Sequence, residues 1–159
     1  MFSKFRNKNE EVIIQAFSKG TIVPLEQVPD PMFSEMMLGD GIAIQLSSDL
    51  VCSPCDGEII FVANTKHAIG IRMSNGLELL IHIGLDTVKL DGKGFTVYCE
   101  AEQKVKAGEK LVKIDAELFE DKNINLISML VFTNLNEFTI KTKNHGDTYE
   151  QNNLLILEK

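Results

Sequence analysis

The sequence predicts an all-β protein, an antiparallel β-sandwich or barrel of two related β motifs with only short helices. Short apolar or alternating runs follow one another along the chain, and Gly, Pro, Asn and Asp separate them at close intervals. Only two short stretches fit the 3.6-residue repeat of a helix. Many strands joined by tight turns are typical of sandwiches and barrels.

Ten strands are predicted in order from apolar or β-branched runs that end at turn residues: Val12–Phe17, Gly20–Pro24, Gly41–Leu46, Gly57–Ala63, His67–Met73, Leu77–Ile83, Lys110–Ile114, Met129–Thr133, Phe138–Lys141 and Leu154–Leu157. The two predicted helices span Pro31–Met37 and Ala116–Lys122. Asn75-Gly76 separates two of the strands. Both residues tolerate positive φ, so this dipeptide predicts a two-residue hairpin.

The chain is interpreted as one domain. Residues 1–12 are predicted to form a flexible N-terminal arm, and residues 13–159 the folded domain, because no linker or charge block divides them. Phe2 and Phe5 give the arm a weak apolar character. The pentapeptides starting at Lys19 and at Asp56 are similar, since in each a glycine enters a β-branched strand. This similarity is the basis for predicting two related β motifs.

Composition excludes several classes of function. The chain has 159 residues and a net charge of −7, from 23 acidic and 16 basic residues. An acidic chain is a poor general binder of nucleic acid, which needs a basic surface, but it can attract a basic protein partner. No apolar run approaches the roughly 18 residues of a membrane span, and the start lacks a secretory signal. The expected location is the cytoplasm.

Cysteine spacing leaves two interpretations open. Cys52 and Cys55 form a C-x-x-C motif, which occurs in redox pairs and as half of a zinc site. No second C-x-x-C or paired-histidine motif follows to complete four ligands. Turn cysteines before a strand are the simpler interpretation, and the remaining Cys99 is expected to be a free thiol.

Two of the three histidines are expected to meet on the sheet. Strand alternation puts His82 on the same face as Leu80, and pairing about Asn75-Gly76 sets Ile69 opposite His82. His67 is then a diagonal neighbour of His82 on that face. Such a pair can bind metal, act as acid and base, form a nucleophile with a helper, or be merely structural. Gly84, two residues after His82, argues against a zinc peptidase with an H-x-H motif.

The segment from Gly76 to Leu90 resembles the signature of the glucose-type enzyme IIA (IIA-Glc-like) of the bacterial phosphoenolpyruvate:sugar phosphotransferase system. A glycine and an apolar run lead into His82, and Ile-Gly-Leu-x-Thr-Val-x-Leu follows. Further matches occur in the same order, among them Val28-Pro-Asp30 with Phe33, Thr65-x-His67, and Val105-x-x-Gly108. The resemblance extends from about residue 13 to residue 156. It implies an antiparallel β fold and a soluble phosphocarrier.

The resemblance also implies the roles of individual residues. His82 is the phosphoryl acceptor, His67 a donor that stabilises the transition state, and Thr65 orients the pair. The Gly84 carbonyl is the expected acceptor for the second ring nitrogen of His82. The implied docking residues are Asp30, Phe33, Leu80 and Asp86. Phe33 and Leu80 are expected to form an exposed apolar patch, with the two aspartates at its edge.

The implied partners are the histidine phosphocarrier protein HPr and the IIB domain of a glucose-type permease, to which the chain binds peripherally at the membrane. The phosphorylated state is also expected to regulate other proteins. No cofactor or intrinsic metal is expected, although His67 and His82 remain possible weak or partner-completed zinc ligands. Which sugar is served is not encoded here, because the permease recognises the sugar.

Overall fold

The computed structural model describes residues 10–159, and strands joined by tight turns make up most of that range. Fourteen strands occur within it: β1 (Glu11–Gln15), β2 (Gly20–Pro24), β3 (Gly41–Leu46), β4 (Leu50–Cys52), β5 (Gly57–Val62), β6 (Ala68–Arg72), β7 (Glu78–His82), β8 (Phe95–Val97), β9 (Lys104–Val105), β10 (Lys110–Ile114), β11 (Ile127–Asn134), β12 (Thr139–Lys143), β13 (Gly146–Thr148) and β14 (Asn153–Glu158). The helices are α1 (Pro31–Ser34) and α2 (Ala116–Asp121), and 3₁₀ turns span Leu25–Gln27 and Thr87–Leu90.

The strands form three sheets in which every paired strand is antiparallel. The largest has the order β13-β2-β3-β11-β7-β6-β5-β9, and the two smaller sheets are β1-β14-β12 and β4-β10-β8. Strand β11 lies between β3 and β7, so a late segment of the chain separates two early ones. The predicted antiparallel all-β fold with short helices is confirmed.

Alternate side chains of the large sheet enter two different apolar clusters. Leu79 and Ile81 of β7 belong to the main core, which lies against the smaller sheets. Leu80 of the same strand faces the other way and borders a second cluster that the chain between β2 and β3 covers. That second cluster contains Leu25, Val28, Phe33, Ala43, Ile127, Met129 and Val131. Burial of each of these side chains except Ala43 stabilises the fold by about 1.5–3 kcal/mol.

Several element bounds differ from the predicted ones for identifiable reasons. Strands β2, β3 and β10 have the predicted ends, whereas β4, β8, β9 and β13 were not predicted. Each of these four has only two or three residues, too few for alternation to be recognised. Helix α1 ends at Ser34 instead of Met37, because Met36 adopts a left-handed φ of 57°. The Met37 N–H then donates to the Met32 carbonyl at 3.1 Å and closes the helix.

Beyond the ends of β6 and β7 the Met73 N–H donates to the Leu77 carbonyl at 2.8 Å, which leaves a loop of three residues, so the predicted pairing was wrong by one residue. Ala68, not Ile69, lies opposite His82. Gly76 alone in the loop has positive φ, at 90°, whereas a two-residue Asn-Gly turn needs positive φ at both residues. The Asn75 side chain accepts from the Leu77 N–H at 3.1 Å and favours the longer loop.

Two residues that were assigned to the predicted N-terminal arm belong to strand β1. Glu11 and Val12, which were assigned to it, pair with Glu158 and Leu157 of β14. Residues 1–9, including Phe2 and Phe5, lie outside the described residues. Among residues 10–159, no helix is long and apolar enough to cross a membrane.

Candidate functional site

His82 is the last residue of β7 and stands on the sheet face opposite the main core. Its neighbours Ile81 and Ile83 are fully buried on the core side. Gly84 then turns the chain with a φ of 72°, which brings its carbonyl back over the imidazole. The His82 Nδ1–H donates to the Gly84 carbonyl at 3.0 Å. Because a carbonyl only accepts, the proton is on Nδ1 and the lone pair of Nε2 is free.

Two hydroxyl groups that the sequence analysis did not single out hold this turn in place. The buried Ser128 of β11 accepts from the Gly84 N–H at 3.1 Å and donates to the Leu126 carbonyl at 3.1 Å. Thr87 donates to the Ile83 carbonyl at 2.6 Å. Thr87 lies inside the motif around His82, whereas Ser128 is 44 residues away from Gly84 and carries no local signal.

His67 lies immediately before β6 and faces His82, as predicted. The two ring centroids are 4.8 Å apart, and the ring planes are inclined by 79°. The Thr65 hydroxyl is 2.7 Å from Nδ1 of His67, so the predicted neighbour is in hydrogen-bond contact with it. Between them, Lys66 has a left-handed φ of 63°, and this bend turns His67 toward β7. The His67 carbonyl accepts from the Ile83 N–H at 2.8 Å and ties the two segments together.

Both imidazoles are neutral near pH 7. The pKa of His82 is lowered to about 4, chiefly by burial and also by the neighbouring His67, after the hydrogen bond to Gly84 and the charge of Asp30 have partly offset these effects. Burial also lowers the pKa of His67, and a hydrogen bond to the backbone of Thr65, distinct from the hydroxyl contact, partly offsets that shift. A buried imidazole loses the hydration that stabilises its charged form. The lone pair on Nε2 of His82 therefore lies beside a second neutral imidazole.

The structure places Phe33 beneath the site instead of on its surface. Only 2% of Phe33 is exposed, and its ring meets the His82 ring edge-on at 5.0 Å between centroids. The exposed apolar docking patch predicted from Phe33 and Leu80 is therefore wrong for Phe33, and Leu80 is half-buried. Phe33 packs inward because α1 lies across the second cluster and turns this residue toward the sheet.

The two predicted rim aspartates occupy different positions. Asp30 caps α1, where its carboxylate accepts from the Met32 N–H at 3.0 Å, and its charge acts on His82. Asp86 precedes the second 3₁₀ turn in a left-handed conformation, is exposed, and makes no capping hydrogen bond. Asp30 is thus the carboxylate whose charge reaches His82, whereas Asp86 follows His82 by four residues at an exposed position.

Metal-binding and redox chemistry have little support among the residues that the structure describes. No group of three or more His, Cys, Asp or Glu residues in that range could hold a metal ion. Cys52 and Cys55 are free thiols with 4% and 3% exposure, and burial raises the pKa of both, that of Cys55 to about 12. The turn-cysteine interpretation fits these buried thiols better than a redox pair, which needs accessible thiolate.

Residues 12–138 match the family of the phosphoenolpyruvate-dependent sugar phosphotransferase system, EIIA 1. The PTS glucose-specific EIIA component of Bacillus cereus is 46% identical over 134 residues, which cover 84% of this chain and 81% of that protein. The PTS glucose-specific EIIBCA component of Corynebacterium glutamicum is 48% identical over 120 residues, covering 76% of this chain but 18% of that protein.

A solved structure is similar over almost the whole length. Glucose permease IIA from Mycoplasma capricolum superposes with a TM-score of 0.89 at 38% sequence identity. The superposition covers 93% of this chain and 96% of that one. The overall β architecture is therefore shared with this glucose permease IIA.

Proposed function

Because the chain belongs to the EIIA 1 family of the phosphoenolpyruvate-dependent sugar phosphotransferase system, we propose that it relays a phosphoryl group on Nε2 of His82 during sugar uptake. The donor is the histidine phosphocarrier protein HPr, and the acceptor is a cysteine on the IIB domain of a glucose-type permease. The observation that best supports the proposal is the hydrogen bond from Nδ1 of His82 to the Gly84 carbonyl. It leaves Nε2 free, and the centroid of the His67 ring is 4.8 Å from that of His82.

The chemistry needs no base to prepare the nucleophile. The lone pair on Nε2 attacks the phosphorus of the donor's phosphohistidine, a new N–P bond forms, and the donor imidazole leaves with its own electron pair. In the second transfer, a cysteine thiolate of the IIB domain attacks the same phosphorus. The N–P bond breaks and the pair returns to Nε2. Neither step calls for a cofactor or a metal, and positioning supplies most of the catalysis.

His67 acts on the phosphoryl oxygens without being modified. When the Thr65 hydroxyl donates to Nδ1 of His67, across the 2.7 Å contact, the ring proton is left on Nε2. That N–H can donate to an oxygen of the group on His82 and stabilise the charge that develops during transfer. A neutral donor suits a relay, because a cation would bind the phosphoryl group too tightly to release it.

The partners meet the site from its acidic side. Asp30 and Asp86 flank the histidines and attract a basic phosphocarrier. The name of the Corynebacterium glutamicum relative joins B, C and A components in one chain, which supports direct transfer from IIA to IIB. The chain then acts in the cytoplasm and meets the membrane peripherally, through its permease. Its phosphorylated and unphosphorylated forms differ in charge at this face. Other proteins can therefore bind one form in preference to the other, according to how much sugar is being taken up.

The relay is tested by incubating the chain with phosphoenolpyruvate, enzyme I and HPr. We expect an acid-labile, base-stable label on the wild type and none on a His82→Ala variant. His67→Gln should still accept the label from HPr but pass it to the IIB cysteine much more slowly. His145→Ala is the matched control, because His145 is exposed and was assigned no role. A His82→Ala protein labelled as well as the wild type contradicts the proposal.

A further inference from the structure

Methionine is concentrated beside the histidine pair. Of the six methionines in the sequence, five lie in the described range, at positions 32, 36, 37, 73 and 129. Met32, Met36 and Met37 are 46%, 38% and 67% exposed, whereas Met129 is fully buried beneath the sheet face. Met73 is half-buried at the far end of β6. Three accessible thioethers are thus collected within six residues, here called the methionine segment (Met32–Met37).

The fold fixes this segment next to the reactive ring. Phe33, inside the segment, packs against His82 at 5.0 Å between ring centroids. The Met37 N–H bonds to the Met32 carbonyl at 3.1 Å, and Met36 takes a left-handed φ of 57°, so the backbone curls over Phe33. With Phe33 turned inward, the three methionines are exposed on this part of the chain, together with Pro31 and Glu35. Because Phe33 joins the segment to the His82 ring, we expect a protein that covers His82 to contact these methionines.

The cysteines are poor competitors for an oxidant. Cys52 and Cys55 are almost fully buried. Burial raises the pKa of all three thiols, that of Cys55 to about 12 and that of Cys99 to about 11. Thiol oxidation proceeds through the thiolate, which is scarce at neutral pH when the pKa is this high. A thioether needs no deprotonation, so exposed methionine is the more reactive sulfur in the described residues.

We propose that the methionine segment is a site of reversible oxidation, at which a peroxide converts Met32, Met36 and Met37 to methionine sulfoxide and so slows docking at His82. The slowing of docking rests on the proposed function, since it concerns the partner that reaches His82. In each step the sulfur lone pair attacks one peroxide oxygen, an S–O bond forms and the O–O bond breaks. Sulfur loses two electrons, and hydrogen peroxide is reduced to water.

The physical effect follows from desolvation. A thioether contributes apolar surface to a docking face, whereas a sulfoxide carries a strong dipole that water solvates. A partner that covers the segment has to strip that water without supplying matched donors, which weakens association. For burial of one or two such groups we expect a roughly tenfold fall in the rate of phosphoryl acceptance. A thiol-dependent methionine sulfoxide reductase reverses the change.

The experiment treats the full chain with increasing hydrogen peroxide and measures three quantities. Peptide mass spectrometry locates the sulfoxides, circular dichroism reports the fold, and the rate of phosphoryl acceptance from HPr reports docking. We expect sulfoxide to form first in the methionine segment, the fold to persist, the rate to fall, and sulfoxide reductase to restore it. A variant with Met32→Leu, Met36→Leu and Met37→Leu should show the same rate before and after peroxide. Met73→Leu, the matched control, should lose rate as the wild type does.

Each alternative result overturns a different statement. Oxidation that begins at Met73, Met129 or a cysteine contradicts the site. Sulfoxide in the segment with an unchanged rate, or with loss of the fold, contradicts the effect on docking. If peroxide lowers the rate of the triple leucine variant as much as that of the wild type, the effect on docking is also contradicted. If the untreated chain takes no label from HPr, the proposed relay fails, while the mass spectra still test the oxidation site.

Discussion

The low pKa of His82 makes the free energy of unfolding of the protein depend on pH. Its pKa falls from an ordinary 6.5 to about 4 on folding. Between these values the unfolded chain binds a proton that the folded chain does not, so the free energy of unfolding decreases as the pH falls through this window. We expect a loss of up to roughly 3 kcal/mol at His82, complete near pH 4.

Urea titrations of the wild type and of His82→Gln between pH 7 and pH 4 measure this contribution. The glutamine variant should lose less stability over the interval, since its side chain does not titrate. His67→Gln provides a comparison for the smaller effect of the second histidine. Parallel curves for wild type and His82→Gln would mean that His82 is not desolvated in solution.

Thr65 gives a second test at the scale of single residues. Thr65→Val removes the hydroxyl that lies 2.7 Å from Nδ1 of His67 but keeps the shape of the side chain. The His67 tautomer is then no longer fixed, so we expect acceptance from HPr to persist and transfer to the IIB cysteine to fall by roughly tenfold or more. Thr65→Ser retains the hydroxyl and should transfer close to the wild-type rate. Nitrogen-15 chemical shifts of the His67 ring report the tautomer directly, and equal shifts in the valine and serine variants would contradict this role.

At the scale of elements, α1 works as a cover for the His82 ring. Phe33 is its contact, 2% exposed and edge-on to the imidazole. Phe33→Ala should destabilise the fold by about 3–5 kcal/mol through the cavity that it leaves. It should also admit water to the ring, which raises the pKa of His82 from about 4 toward its ordinary value.

Proton NMR titration of the His82 ring measures that pKa. Phe33→Leu fills most of the same volume and should shift it much less. Should Phe33→Ala leave the His82 pKa unchanged, the low value would arise from the strand and not from α1, and the role of α1 would be packing alone.

At the scale of the whole molecule, charge sets the approach of partners. The net charge of −7 gives a field that favours basic proteins, and on the proposed function Asp30 and Asp86 are the carboxylates that the partner meets first. Asp30→Asn with Asp86→Asn should slow association with HPr roughly tenfold at low salt and flatten the salt dependence. Stopped-flow measurement over a salt series gives both quantities, with Asp121→Asn on exposed α2 as the control. Equal slopes for the double variant and the wild type would exclude steering by this pair.

The Gly84 acceptor of His82 could be predicted because local sequence determines it, whereas His67 meets His82 through the left-handed bend at Lys66 and not through the predicted diagonal pairing. Strand alternation fixes the face of His82, and a carbonyl two residues away is within reach of its ring. Ser128 could not be found in this way, because it reaches Gly84 only through the β7–β11 pairing. The inward position of Phe33 depends on how α1 crosses the sheet, which no repeat in a four-residue helix encodes. The one-residue error in the β6–β7 register arose from the side chain of Asn75, which favours a longer loop.

The position of β11 between β3 and β7 has a consequence for synthesis on the ribosome. The hairpin that carries both histidines is complete once residue 82 has emerged, yet the strand that pairs with β7 runs from Ile127 to Asn134. Until those residues leave the exit tunnel, the nascent chain exposes the open edge of β7 and the apolar run around His82. The hydrogen bond between Gly84 and Ser128 therefore forms late in translation. A prematurely terminated chain would keep both histidines but would lack the folded site and would be a client for chaperones.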